Sequence, residues 1–333
     1  MKQFSLLAVG LGLILPSSFI SCLTIAAYET TIEHTPLRVA LEDYWTGPQS
    51  QFTHAGVVDM VGNSSIDLAG NAETQALRNY ATNKDLRIIY TIVEVFYRIV
   101  ANRQSVSSAK DLRGKKIGTM LNTSAQYFIQ QLLANEGLSE TDYTIVAGDL
   151  CNAEPCGNGT LPYMLVNGEI SAIGYWEPTI ELAARELGDD AIIFEDPSAY
   201  REIYNLHTTT EKLQDPTTRA EIVDFVRALH QAQHLYTTDP ESVLPRITNA
   251  TDVPVDILEA VWHDHNWNTT LTPNMLSILV KEDQWLAGLM GRDPMTEEEL
   301  APLIDPSILD EALGLHNGTG PCIRHSRSAK RQS

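Results

Sequence analysis

Basic residues, cysteines and long apolar runs are all scarce in this chain, and each scarcity closes a class of function. Lysine and arginine number 23 against 43 aspartates and glutamates, for a formal net charge of −20. So acidic a body repels phosphate backbones and anionic headgroups, which makes nucleic acid and anionic membrane surfaces poor partners for it. The basic stretch Arg324 to Arg331 is short enough to be a solvated terminus. Four cysteines in 333 residues are too few for a disulfide scaffold. After the apolar run Leu6–Leu15 no segment approaches the ~20 apolar residues that a spanning helix needs, so no membrane insertion is expected. No phosphate loop, dinucleotide fingerprint or Gly-x-Ser-x-Gly turn occurs, which removes the commonest nucleotide and serine-hydrolase sites.

What is present points to a folded, exported protein. A hydrophobic fraction of 43% with 20% charged residues supports packed cores, in one large or two medium domains. Lys2, the apolar run and the small-residue stretch Ser17–Ala27 read as a secretory signal peptide over residues 1–27. Cleavage after Ser21, after Cys22 and after Ala26 or Ala27 all fit; lipidation of Cys22 fits poorly with Phe19-Ile20-Ser21 before it. Six Asn-x-Ser/Thr sequons exceed what composition alone would place, and favour a glycosylated protein of a eukaryotic secretory pathway. Asn63, Asn158, Asn249, Asn268 and Asn317 are the expected acceptors; Asn122 lies on a turn argued below to face ligand, and is expected bare. Cys151 and Cys156 share a Gly/Asn/Pro-rich loop with no histidine near, so a small-loop disulfide is expected over zinc. Cys322 either pairs with Cys22 or stays free.

The most informative stretch is Asp111–Val146. It reads as a strand (Lys116–Met120), a polar turn (Asn122, Thr123, Ser124), an amphipathic helix (Ala125–Asn135), a stop at Gly137 and a second strand (Tyr143–Val146). The first N–H groups of such a helix have no partner within it, and so suit an anionic or polar ligand group. Strands are also expected at Leu37–Leu41, Ile66–Ala69, Arg87–Thr91, Phe96–Ala101 and Glu202–Thr208, with a helix over Ala72–Thr82. Helices follow at Arg219–Tyr236, Pro240–Ile247, Pro254–Trp262, Pro273–Leu289 and Ser307–Leu313. Strand–helix alternation implies parallel sheets covered by helices, with ligand sites at the carboxyl ends of strands.

Three segments, DLRGKKIGTMLNTSAQYFIQQLLANEGL from Asp111, SIDLAGNAETQALRNY from Ser65 and VNGEISAIGYWEPTIE from Val166, resemble in order and spacing the nitrate/sulfonate/taurine-type substrate-binding proteins. Relatives of that family act on thiamine-pyrimidine precursors. The resemblance spans Leu37 to Leu313. It implies an α/β, two-lobed fold of the periplasmic-binding-protein type 2 class, each lobe a mainly parallel sheet flanked by helices, with a ligand cleft between. Lobe one would take residues 28–104 and 206–320, lobe two 105–205, with hinges near 104 and 205 and a basic tail at 321–333. It also implies a monomer that closes on a small-molecule ligand without covalent chemistry or a cofactor. An ABC permease partner, which bacterial members have, is doubtful beside the sequons. The alternatives are a secreted interaction protein with a vestigial cleft, and an enzyme of the pyrimidine-precursor-synthase type. The latter carries a cysteine-rich motif and a cofactor lysine, and this chain has no cysteine cluster and no lysine among its candidate cleft contacts.

Candidate ligand contacts follow from the same segments. Asn122, Thr123 and Ser124 start the second-lobe helix; Asn71, Glu73 and Thr74 stand in the equivalent place in lobe one. Each set also suits a plain helix cap. Glu73 would favour an amine or aminopyrimidine and resist a bare sulfonate. Trp176 and Glu177, before Pro178, offer an aromatic face and a carboxylate; a core Trp with a helix-terminal Glu is the plainer reading. Tyr44 and Trp45, after Asp43 in a polar loop, would line the cleft mouth, and Glu94 would stand at a strand end. His230 and His234 in HQAQH lack the glutamate of a zinc protease, and His263 and His265 in HDH point to different sides of a helix, so neither pair is expected to bind metal.

Overall fold

The computed structural model describes residues 23–267 and 270–315. Residues 1–22 of the expected leader, the sequons at Asn268 and Asn317, Cys322 and the basic tail lie outside the described residues. Among the described residues no helix is long and apolar enough to cross a membrane.

Two sheets form two lobes. The first holds β1 (Thr24–Ala26), β2 (Gln51–Thr53), β3 (Leu68–Ala72), β4 (Leu86–Phe96), β10 (Arg201–Thr209) and β11 (His265–Asn266), in the order β11-β4-β10-β3-β1-β2. The second holds β5 (Arg98–Asn102), β6 (Lys116–Thr119), β7 (Thr144–Ala147), β8 (Ala172–Tyr175) and β9 (Ala191–Glu195), in the order β7-β6-β8-β5-β9. β1 runs parallel to β2 and β3, and β6 parallel to β7 and β8. The sheets are nevertheless mixed rather than mainly parallel. The chain leaves lobe one through β4 into β5 and returns through β9 into β10, so β10 lies antiparallel to β3 and β4, and β5 antiparallel to β8 and β9. Parallel pairing is confined to the strands that helices connect.

These crossings correct the expected hinges. β5 already pairs within the second sheet, so the outward crossing is at Tyr97 rather than near 104; the return spans residues 196–200 rather than 205, because β10 belongs wholly to the first sheet. Tyr97 and Tyr200 pack edge to face at 5.7 Å, with Phe128 and Tyr127 of the second lobe against them.

The first strand is also corrected. β1 occupies Thr24–Ala26, and Leu23, Ile25 and Ala26 are fully buried. Residues 23–27, expected to belong to the leader, thus include a core strand of the first sheet. Leu37–Leu41 is helical: Pro36 sits in the first turn of helix Thr35–Val39, where its fixed φ suits a helix, and a wider helical turn continues to Tyr44. Leu37 and Ala40, three apart, are fully buried, and this segment packs on the long helix Pro216–Thr238.

Elsewhere the expected elements form. Helix Ser124–Asn135 buries Phe128, Ile129, Leu132 and Leu133, and Gly137 ends it with φ +78°. Gly174 of β8 lets this helix approach, since a Cβ there would collide with Ile129. Cys151 and Cys156 form the expected disulfide. Asn63, Asn122, Asn158 and Asn249 are all exposed.

Candidate functional site

A cavity of about 440 Å³ lies between the lobes. Its lining follows the strand ends. Tyr28 comes after β1, His54 after β2, Asn71 and Ala72 end β3, Met120 follows β6, Leu150 follows β7 and Trp176 follows β8. Six parallel-running strands thus deliver their carboxyl ends to one hollow, the position an open α/β sheet gives its ligands. Thr30, Thr31, Glu33, His34, Val58, Gln75, Glu202 and Tyr204 complete the wall from lobe one, and Thr123 and Ser124 from lobe two.

The polar groups are ordered by one another. Tyr28 N–H donates to His34 Nδ1 at 3.2 Å. His34 is buried, and that burial, followed by the nearby His54, holds its ring down to about 3, so it is neutral. The neutral ring then carries its proton on Nε2 and donates it to the Tyr204 hydroxyl oxygen, which leaves the Tyr204 O–H free to donate. Across the cavity Ser124 Oγ donates to Glu202 Oε1 at 3.0 Å and receives the Tyr97 hydroxyl at 3.1 Å. Burial first, and then the neighbouring Glu73 and Glu33, push the Glu202 carboxyl well above the usual range. Glu33 is 3% exposed and its Oε1 has no hydrogen-bond partner; His265 Nε2 stands 3.9 Å away, also unpartnered. Burial pulls the His265 ring down, but Glu33, the Val261 carbonyl and Asp264 together more than offset it. The second histidine of HDH, expected to be incidental, therefore backs a cavity carboxylate.

Of the expected contacts, Asn71, Thr123, Ser124 and Trp176 line this cavity together. Trp176 stacks on Tyr175 at 3.9 Å between ring centres, and Thr123 Oγ1 donates to Met120 O at 2.8 Å. Asn122 sits exposed on the rim at φ +61°, its carbonyl accepting from Arg78 Nη2 of lobe one at 2.8 Å. The others stand apart from the cavity. Glu73 is wholly buried behind the wall, accepting from the Tyr200 hydroxyl and from Ile203 N–H at 2.8 Å; Thr74 is buried beside it. Glu177 is buried in an ion pair with Arg98 at 2.6 Å and accepts the Glu181 N–H. Glu94 lines a separate hollow with Asn266, Thr272 and Arg201, to which it is bonded. Trp45 donates to Pro48 O and packs edge-on against Phe225, with Tyr44 beside it on lobe one. Tyr44 and Trp45 follow from the displaced first strand: with β1 at Thr24–Ala26, the cleft-lining loop is Tyr28–His34. His230 lies against the Tyr90 hydroxyl at 3.2 Å, and among the described residues no cluster suited to a metal ion occurs.

The protein family described as NMT1/THI5 like matches residues 50–243. No curated protein sequence matches the chain. Among solved structures, the alkanesulfonate-binding protein SsuA from Xanthomonas axonopodis pv. citri bound to MOPS shares 18% identity over 85% of this chain and 97% of its own, with a TM-score of 0.62. The periplasmic aliphatic sulphonate binding protein SsuA from Escherichia coli shares 14% identity over 84% of this chain and 91% of its own, at 0.66. The desulfurization enzyme DSZB shares 13% identity over 89% of this chain and 99% of its own, at 0.59. Similarity at this level is one of fold.

Proposed function

The chain belongs to the NMT1/THI5 like family, and on that premise we propose that it is a secreted solute-binding protein. It captures a small polar metabolite, sulfonate-like or thiamine-precursor-like, between its lobes and closes on it about Tyr97 and residues 196–200. The observation that carries this reading is the cavity built from both lobes at the ends of six strands, bridged by Ser124 and Glu202. Ligand contacts are assigned to Asn71, Thr123, Ser124 and Trp176, joined by Glu33, Glu202 and Tyr204. Export is supported by the disulfide, the sequons and the apolar run before Leu23. The binding event is lobe closure, in which opposed groups meet only around a guest.

The fold alone does not separate binding from catalysis, since DSZB is titled an enzyme. The test is a thermal-shift screen with sulfonates, nitrate, amino acids and aminopyrimidines, followed by native mass spectrometry of any complex. A ligand that binds the folded state raises the melting temperature by mass action. A hit recovered unchanged supports capture, turnover of the hit supports an enzyme, and no hit across the panel leaves a vestigial cleft.

A further inference from the structure

The cavity lining has a chemical bias that the proposed function leaves open. On lobe one the rings of Tyr28, His34, His54 and Tyr204 form one continuous aromatic wall, with neighbouring centres 5.8, 5.2 and 4.9 Å apart. The Trp176 indole stands on lobe two. At the mouth, Val58, Met120 and Leu150 are 58%, 37% and 37% exposed, a good deal for large apolar side chains. A guest with only a charged head would leave these surfaces wet. A planar aromatic body covers them and stacks between the lobes.

Charge decides the rest. Glu33 stands on the wall at 3% exposure, and no lysine or arginine is among the described residues that line it. Arg78 is at the rim, engaged with the Asn122 carbonyl, while Arg98 and Arg201 are paired with Glu177 and Glu94. Glu33 Oε1 makes no hydrogen bond, the His265 ring behind it standing 3.9 Å away, and a buried carboxylate oxygen so loosely partnered is costly. An incoming N–H group offsets that cost. A sulfonate brings acceptors only, which adds like-charge repulsion in a site of low dielectric and in the field of a chain at −20.

We propose that Glu33 and Trp176 make the cleft selective for a planar aromatic ligand carrying N–H donors on one edge, and against sulfonates. The inference rests on the cleft being a live binding site, and it separates this chain from the sulfonate-binding proteins whose fold it shares. Glu33 receives the donor edge, Trp176 covers the ring face, and the Tyr204 hydroxyl is left to donate to a ring acceptor.

The test is calorimetric titration of the folded protein with three probes on one ring: benzamidine, benzamide and benzenesulfonate. Affinity should fall in that order, with benzamidine at least about tenfold tighter than benzenesulfonate. Glu33→Gln should erase that margin, Glu33→Asp should retain the order, and Trp176→Ala should weaken benzamidine and benzamide alike. Benzenesulfonate binding as tightly as benzamidine overturns the proposal. So does a margin that survives Glu33→Gln, or one lost equally in Glu33→Gln and Glu33→Asp, which would assign the effect to packing. If none of the three binds while another metabolite still raises the melting temperature, the selectivity fails and the capture reading stands. If nothing binds, both fall.

Discussion

Ser124 Oγ, at the first residue of a second-lobe helix, donates to Glu202 Oε1 on a first-lobe strand across 3.0 Å of buried cleft. The serine also takes the hydroxyl of Tyr97, the residue at which the chain first crosses between lobes. One side chain therefore joins the cavity wall, the opposite lobe and the crossing between them. Ser124→Ala removes the bridge and leaves Glu202 and Tyr97 only each other. Losing a buried hydrogen bond to such a group costs about 1–3 kcal/mol, so ligand affinity should drop roughly tenfold by calorimetry. An affinity equal to that of the unaltered protein would disconnect the serine from closure.

Two clasps flank that bridge at the rim. Arg78 Nη2 of lobe one donates to Asn122 O of lobe two at 2.8 Å, and Asn152 Nδ2 of lobe two donates to Thr30 O of lobe one at 3.2 Å. Both are partly exposed, so each contributes at most about 1 kcal/mol. Arg78→Ala should speed ligand dissociation by a few-fold in stopped flow and leave the melting temperature nearly unchanged. A variant that melts several degrees lower instead would give Arg78 a role in holding lobe one together.

How far all this was legible depends on the range of the interactions involved. Helix Ser124–Asn135 declares itself locally, through a polar start, an apolar stripe and Gly137 at its end, and Trp176 is marked by the strand before it and the proline after. β1 does not declare itself. Its three residues continue an apolar stretch that reads as a leader, and Leu37–Leu41 offers a substitute whose few apolar residues fit strand or helix equally. Pro36 was the local sign of a helix. Glu33 and Glu202 were out of reach for a different reason. Their burial comes from partners such as Ser124 and His265, far away in the chain, and no local pattern encodes it.

Glu73 makes the stability depend on pH. It is fully buried, and burial raises its carboxyl from 4.5 to about 7 despite hydrogen bonds from Tyr200 and Ile203. The folded chain keeps a proton that the unfolded chain releases near 4.5. This contribution is therefore complete below 4.5 and is lost as pH rises toward 7. Glu202 and Glu282 act in the same direction, chiefly by burial. His34 and His207 oppose them: burial holds them at about 3 and about 4, so acid destabilises through these rings. The clean readout is thus a difference. Glu73→Gln should gain stability over the unaltered protein as pH rises through the window, by up to about 3 kcal/mol in urea unfolding. A difference that stays level with pH would mean that Glu73 ionises alike in both states.

The Cys151–Cys156 disulfide is buried against the main core, while the loop it closes forms a lip of the cleft. Leu150 before it lines the cavity, Asn152 within it makes the Thr30 clasp, and Cys151 N–H donates to Thr179 Oγ1, which returns a bond to Cys151 O. The bridge closes a loop with a sequence separation of only five, for which the chain-entropy account gives about 2 kcal/mol. Such a loss lowers the melting temperature by only a few degrees, because both sheets and their buried helices are untouched. The lip, however, loses the constraint that aims Leu150 and Asn152 at the opposite lobe. Replacing both cysteines by serine should therefore weaken ligand binding several-fold while the protein stays folded, and a reductant should do the same to the unaltered protein and nothing further to the variant. Calorimetry in parallel with circular dichroism separates the two effects. If affinity survives while the melting temperature falls, the bridge serves stability alone and the lip takes no part in closure.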